Sequence, residues 1–136
     1  MSLQLMEHYL VMTADLEATR SFYVDALGFQ DGYRPDLGFP GYWLYLGDTP
    51  CIHIAEWQTY TAHSERLGIP VTRPADGTGA VDHVAFRAAD FDAFLERITR
   101  LGLRYHRHDS PAIGLRQLFL DDPNGLKLEI NFFAQR

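Results

Sequence analysis

Residues 82–90 read DHVAFRAAD, a short apolar run that opens on His83 and closes on Asp90. The same spacing occurs at residues 8–15, HYLVMTAD, where His8 precedes Asp15 by the same interval. The two copies are offset by a constant number of residues, 83 − 8 = 75 and 90 − 15 = 75. A fixed offset of this kind marks an internal repeat, and it decides how the rest of the chain is divided.

Each aspartate stands where a helix should begin, since a short side-chain acceptor can satisfy the free N–H groups of a first turn. Leu16, Tyr23 and Leu27, flanked by Phe22 and Ala26, follow Asp15. Phe91, Phe94, Leu95, Ile98 and Leu101 follow Asp90 as a cleaner amphipathic stripe. Gly28 and Gly102 occupy the usual stop position. Further on, YWLYLGDTPCIHI (42–54) parallels RQLFLDDPNGLKLEI (116–130), each broken by an Asp/Pro/Gly turn. Leu44 and Leu46 align with Leu118 and Leu120 at an offset of 120 − 46 = 74. A longer second turn then places Ile52 on Leu128, Ile54 on Ile130 and His53 on Glu129, at 129 − 53 = 76.

Each half therefore predicts strand, helix and about three strands, giving an α+β fold of two tandem βαβββ modules, about 4–60 and 80–134. A Gly- and Pro-rich connector is expected over 61–79. Neither unit alone can cover both faces of its sheet. The length of 136 residues suits a single domain spanning the chain.

Strand alternation sorts the side chains by face. His8, Leu10 and Met12 oppose Tyr9 and Val11; His83, Ala85 and Arg87 oppose Val84 and Phe86. Cys51, His53 and Ala55 oppose Ile52 and Ile54; Lys127, Glu129 and Asn131 oppose Leu128, Ile130 and Phe132. The apolar sets meet the helices. The other faces carry one metal-capable residue on each of four corresponding strands: His8, His53, His83 and Glu129. His8, His83 and Glu129 make a two-histidine, one-carboxylate set that suits divalent first-row metals and leaves positions open. His53 is a fourth ligand or a substrate contact. Trp43, Tyr45, Gln117 and Phe119 fall on the same face and are candidate walls of a substrate pocket.

Composition narrows the partners. A formal net charge of −6, with Lys127 as the only lysine, argues against nucleic acid or an anionic membrane surface. No long apolar run predicts a membrane span, and no secretory leader is visible. A single cysteine, Cys51, suits a reducing cytoplasm. A small-molecule partner is the expectation that stands.

The segments DHVAFRAADFDAFLERITRLG (82–102) and LFLDDPNGLKLEINF (118–132) resemble the vicinal oxygen chelate superfamily. That group includes glyoxalase I, bleomycin-resistance proteins, fosfomycin-resistance enzymes and extradiol dioxygenases. The resemblance implies modules curved into a half-open barrel, or cup, completed in a homodimer. It also implies a divalent ion (Ni, Zn, Mn, Co or Fe) that chelates two vicinal oxygens of a substrate. The family's first, third and fourth ligand positions fall on His8, His83 and Glu129, and Glu129 gains the role of proton acceptor. His53 stands where glyoxalase I often carries glutamate or glutamine. The expected function is a glyoxalase-like, metal-dependent enzyme. The alternatives are ring cleavage of a catechol and metal-free drug binding of the bleomycin-resistance kind.

Overall fold

A computed structural model describes residues 4–71, 77–79 and 81–134. The chain divides into two compact units, Met1–Pro74 and Ala75–Arg136. The first contains β1 (Tyr9–Thr13), α1 (Leu16–Ser21, continued as a π turn over Phe22–Ala26), β2 (Gln30–Gly32), β3 (Gly41–Leu46), β4 (Thr49–Glu56) and α2 (Trp57–Leu67). The second contains β5 (His83–Arg87), α3 (Phe91–Arg100), β6 (His106–Ser110), a short 3-10 turn, β7 (Leu115–Asp121) and β8 (Lys127–Phe133). Their sheets run β1-β4-β3-β2 and β5-β8-β7-β6, so the two units share one topology. In each, the first strand pairs parallel to the last and the remaining pairs are antiparallel. This is the α+β, doubled βαβββ plan that the repeat predicts.

The cores follow the alternation. In the first unit Val11, Tyr23, Leu44, Ile52 and Ile54 are buried, with α1 laid against β3 and β4. In the second, Leu118, Leu120, Leu128, Ile130 and Phe132 are buried together with Phe91, Phe94 and Ile98 of α3. Phe132 meets Phe91 edge-on at 5.2 Å and Phe94 at 5.5 Å. Arg107 and Arg116 lay their guanidinium groups over Phe91, 4.7 and 4.1 Å from its centroid.

The local starts and stops differ in detail between the copies. Asp15 accepts a hydrogen bond from the Ala18 N–H at 3.0 Å, as a capping residue should. Asp90 holds the equivalent place but its side chain makes no cap bond. Its backbone is left-handed, φ 60° and ψ 63°, whereas a capping side chain needs extended dihedrals to turn back onto the helix. Gly28 and Gly102 end their helices in left-handed geometry, with φ of 82° and 70°. Thr19 is buried in α1 where periodicity offers no apolar residue, and its hydroxyl donates to the Thr13 hydroxyl at 3.0 Å.

Two expectations are corrected. The connector is not irregular from residue 61, because α2 runs from the end of β4 to Gly68, whose φ of 70° closes it. The glycines and prolines that signal a break begin only at Gly68, and β4 passes into α2 without one. Residues 72–76 and 80, which belong to the expected connector and the start of the second module, lie outside the described residues. The strand alignment also shifts. Trp43 pairs with His53 and Phe119 with Glu129, so β7 matches β3 at 119 − 43 = 76 and not at 74. The first hairpin absorbs the difference in a β-bulge between Leu44 and Leu46. Both offsets are even, so every side chain keeps its face. Among the described residues, no helix is long and apolar enough to cross a membrane.

Candidate functional site

Register decides what stands beside what. In the first unit Leu10, His53 and Trp43 form one row across β1, β4 and β3. In the second, Ala85, Glu129 and Phe119 form the corresponding row across β5, β8 and β7. His8 and His83 lie two residues before Leu10 and Ala85, on the same face of their strands. Each histidine therefore reaches across to the middle of its own row.

In the first unit this produces a stack of three rings. His53 lies between His8, 3.6 Å away and tilted by 11°, and Trp43, 4.2 Å away and tilted by 13°. The Nε2 of His53 is 3.1 Å from the Pro50 carbonyl. A carbonyl only accepts, so Nε2 carries the proton and Nδ1 keeps the lone pair. Burial, and next the neighbouring His8, hold His53 below the ordinary imidazole pKa, which keeps it neutral at pH 7. A cavity of about 120 Å³ opens beside the stack, walled also by Leu10, Phe39 and Tyr60.

In the second unit His83 Nε2 lies 3.5 Å from Glu129 Oε1. The other oxygen of Glu129 accepts from Asn131 Nδ2 at 2.9 Å, and Asn131 Oδ1 accepts from Gln117 Nε2 at 3.0 Å. Gln117 thus holds the amide that holds the carboxylate. Phe119, opposite Glu129, faces a cleft of about 720 Å³ shared with Tyr105 and His106.

Sequence reasoning missed the groups that orient the histidines. His8 Nδ1 is 2.8 Å from Glu7 Oε1, and His83 Nδ1 is 2.8 Å from Asp82 Oδ2. An ionised carboxylate only accepts, so each Nδ1 carries a proton and Nε2 is the nitrogen left to bind an ion. This is the carboxylate–histidine arrangement that fixes the tautomer of metal-ligating imidazoles. The signal was available, since 82 − 7 = 75 continues the repeat one residue earlier. Lys127 Nζ, 2.9 Å from Asp82, and then His83 hold the Asp82 carboxyl below its usual range.

These donors fit a divalent ion by their chemistry: two imidazoles whose Nδ1 is held by a carboxylate, leaving Nε2 for a metal, and one half-buried carboxylate. His53 fits less directly. An ion lies in the plane of the imidazole that binds it, and the parallel rings of His8 and His53 do not share a plane. As stacked, His53 is a wall. Among the described residues no three of His, Cys, Asp and Glu gather in one group. The donors stand as two pairs, one in each unit.

The remaining candidates separate. Trp43 belongs to the stack, Gln117 to the chain behind Glu129, and Phe119 to the larger cleft. Tyr45 keeps the face of Trp43, since the two pair with Gln30 and Gly32 of β2, but it does not line the cavity beside His53. Its ring covers Gly32, and its hydroxyl donates to the Tyr33 carbonyl at 2.5 Å. Burial raises the Cys51 thiol pKa, which leaves it a weak nucleophile.

Residues 5–130 match the model of the Glyoxalase/Bleomycin resistance protein/Dioxygenase superfamily. The chain is 28% identical to the protein YwkD of Bacillus subtilis (strain 168), over 96% of this chain and 98% of that protein. It is 27% identical to Glyoxylase I 4 of Arabidopsis thaliana, over 92% of this chain and 68% of that protein. The crystal structure of the fosfomycin resistance protein FosX from Listeria monocytogenes superposes with a TM-score of 0.70 at 16% identity, covering 97% and 95% of the two chains. That likeness shows the shared fold.

Proposed function

The chain belongs to the glyoxalase, bleomycin-resistance protein and dioxygenase superfamily, and from that premise we propose that it is a metal-dependent enzyme acting on a small molecule with two adjacent oxygens. The observation that carries this reading is the duplicated carboxylate–histidine pair. Glu7 and Asp82 each lie 2.8 Å from the Nδ1 of the following histidine, which leaves Nε2 to bind an ion, and His83 Nε2 lies 3.5 Å from Glu129 Oε1. An acid precedes the histidine at the same place in both copies of the repeat, Glu7 in the first and Asp82 in the second, as the orienting partner of a ligand would.

In this reading His8, His83 and Glu129 hold the ion, which is nickel, zinc, manganese, cobalt or iron. His53 walls the substrate side of His8 and is a fourth ligand only if the stack opens. When bound, the ion supplies Lewis acidity, stabilising negative charge that develops on the substrate's oxygens. Glu129 accepts the proton that leaves the adjacent carbon, and the Asn131 amide keeps its second oxygen turned away and occupied. Trp43 gives the first unit's cavity an aromatic wall.

Metal analysis of protein purified without added ions is the primary test, followed by turnover before and after chelation. A bound stoichiometric ion, and turnover of a hemithioacetal that falls at least a thousandfold on chelation and returns with metal, is the expected result. Oxygen consumption and a coloured product from a catechol would assign the ring-cleaving chemistry instead. Undiminished ligand binding with no metal and no turnover would make the protein a sequestering one. Fosfomycin-type transfer is disfavoured by the scarcity of lysine, because an anionic phosphonate calls for clustered positive charge.

We propose further that the working form is a homodimer, with His8 and His53 of one copy serving the same site as His83 and Glu129 of the other. Four-stranded sheets that end on strands as short as β2 leave edges which a small protein gains by covering. Light scattering at micromolar concentration should give about twice the 15.5 kDa chain mass. A monomeric mass would overturn this assembly.

A further inference from the structure

The cavity beside the His8–His53–Trp43 stack has one cationic side chain in its wall, Arg34. It stands in the loop between β2 and β3, which is drawn onto α2 by Phe39: the Phe39 ring meets Tyr60 at 5.0 Å, edge-on. Arg34 Nη2 donates to the Phe39 carbonyl at 2.9 Å, and the guanidinium lies 4.8 Å from the Phe39 ring centroid. It is seated on Gly41, where an added Cβ would meet Nη2 at 3.1 Å and the Ile54 carbonyl at 2.3 Å. Only glycine lets the chain pass this close, so the guanidinium is held against the strand beside the stack.

One hydrogen bond to a carbonyl uses a small part of a five-donor fork. No carboxylate lines the cavity among the described residues. Asp36, the nearest acid in the loop, accepts from the Gly38 N–H at 3.0 Å. Burial pulls Arg34 below its ordinary pKa, a cost that an anion in the cavity would offset. The other walls are Leu10, Leu37, Trp43 and Tyr60, flat or apolar.

We propose that Arg34 binds a carboxylate of the substrate, which makes the protein selective for small carboxylic acids whose flat or apolar body lies against the Trp43–His53 stack. About 120 Å³ is the liquid volume of roughly four waters, enough for the carboxylate and the atoms next to it. The inference deepens the enzyme reading and rests on it only for the reacting end of the molecule, because the carboxylate end is read from Arg34 alone.

The test uses chelator-treated protein, with benzoate and its neutral counterpart benzamide as probes. Binding is followed by the indole N–H signal of Trp43 in nitrogen–proton correlation spectra, with Trp57 as internal control. Benzoate should shift the Trp43 signal saturably and bind at least about tenfold more tightly than benzamide. Arg34→Gln should bring benzoate down to the affinity of benzamide, and Arg34→Lys should retain part of the preference, since lysine keeps the charge without the planar fork. Equal binding of both probes, no saturable benzoate shift, or full benzoate affinity in folded Arg34→Gln would each overturn the proposal. The two-probe comparison on unaltered protein stands even where the variant fails to fold. A benzoate preference without metal-dependent turnover would sink the enzyme reading and leave Arg34 assigned; turnover without the preference would do the reverse.

Discussion

Glu129→Gln should lower turnover by about a thousandfold or more while leaving the fold in place. The substituted amide can keep both neighbours. Its carbonyl accepts from Asn131 Nδ2, as Glu129 Oε2 does at 2.9 Å. Its N–H group then faces His83 Nε2, which lies 3.5 Å from Oε1. That second contact is the damaging one. A hydrogen bond from the amide occupies the lone pair that His83 would offer an ion, and the charge that draws the ion is gone. The proton acceptor is lost in the same step, since an amide oxygen is far too weak a base. Steady-state turnover together with metal content checks this: the variant should melt within a few degrees of the parent, bind metal weakly and be inactive. Activity above a tenth of the parent would remove Glu129 from the chemistry.

Phe132→Ala should destabilise the protein by about 3–5 kcal/mol, the range for truncating a buried aromatic ring. Phe132 is 3% exposed and joins β8 to α3 through Phe91 and Phe94. Truncation leaves a void between sheet and helix and removes two edge-to-face pairs, each adding about 0.5–1.5 kcal/mol beyond area burial. Phe91 does not slide easily into the gap, because two guanidinium groups cover it from β6 and β7. Urea unfolding followed by circular dichroism measures the change. A loss below about 1 kcal/mol would mean that the α3–sheet contact contributes little to this unit's stability.

The repeat and the faces were legible because both are local properties. A strand alternates with a period of two, so one glance separates the inward set from the polar one, buried in KLEINFF and half-buried in HVAFR. An error of two residues in aligning β7 with β3 did no harm, since an even shift preserves the face. For the same reason His8, His53, His83 and Glu129 could be picked out together, and the structure pairs them as His8 with His53 and His83 with Glu129. Tyr45 falls on the expected face too, yet its ring is taken up by Gly32 of β2, a neighbour that nothing in YWLYLGD announces.

Short-range periodicity and one long offset thus suffice for the doubled βαβββ plan and the inward face of the central strands, and they nominate His8, His53, His83 and Glu129 as donors. Only the tertiary structure decided what each donor touches. His53 is closed between two rings and neutral because β4 lies between β1 and β3. Arg34 reaches the cavity because its loop is drawn onto α2, a helix the sequence did not announce, and because Gly41 leaves space for it. Lateral neighbours come from register and loop path, which join residues far apart in the chain, and no local pattern carries that information.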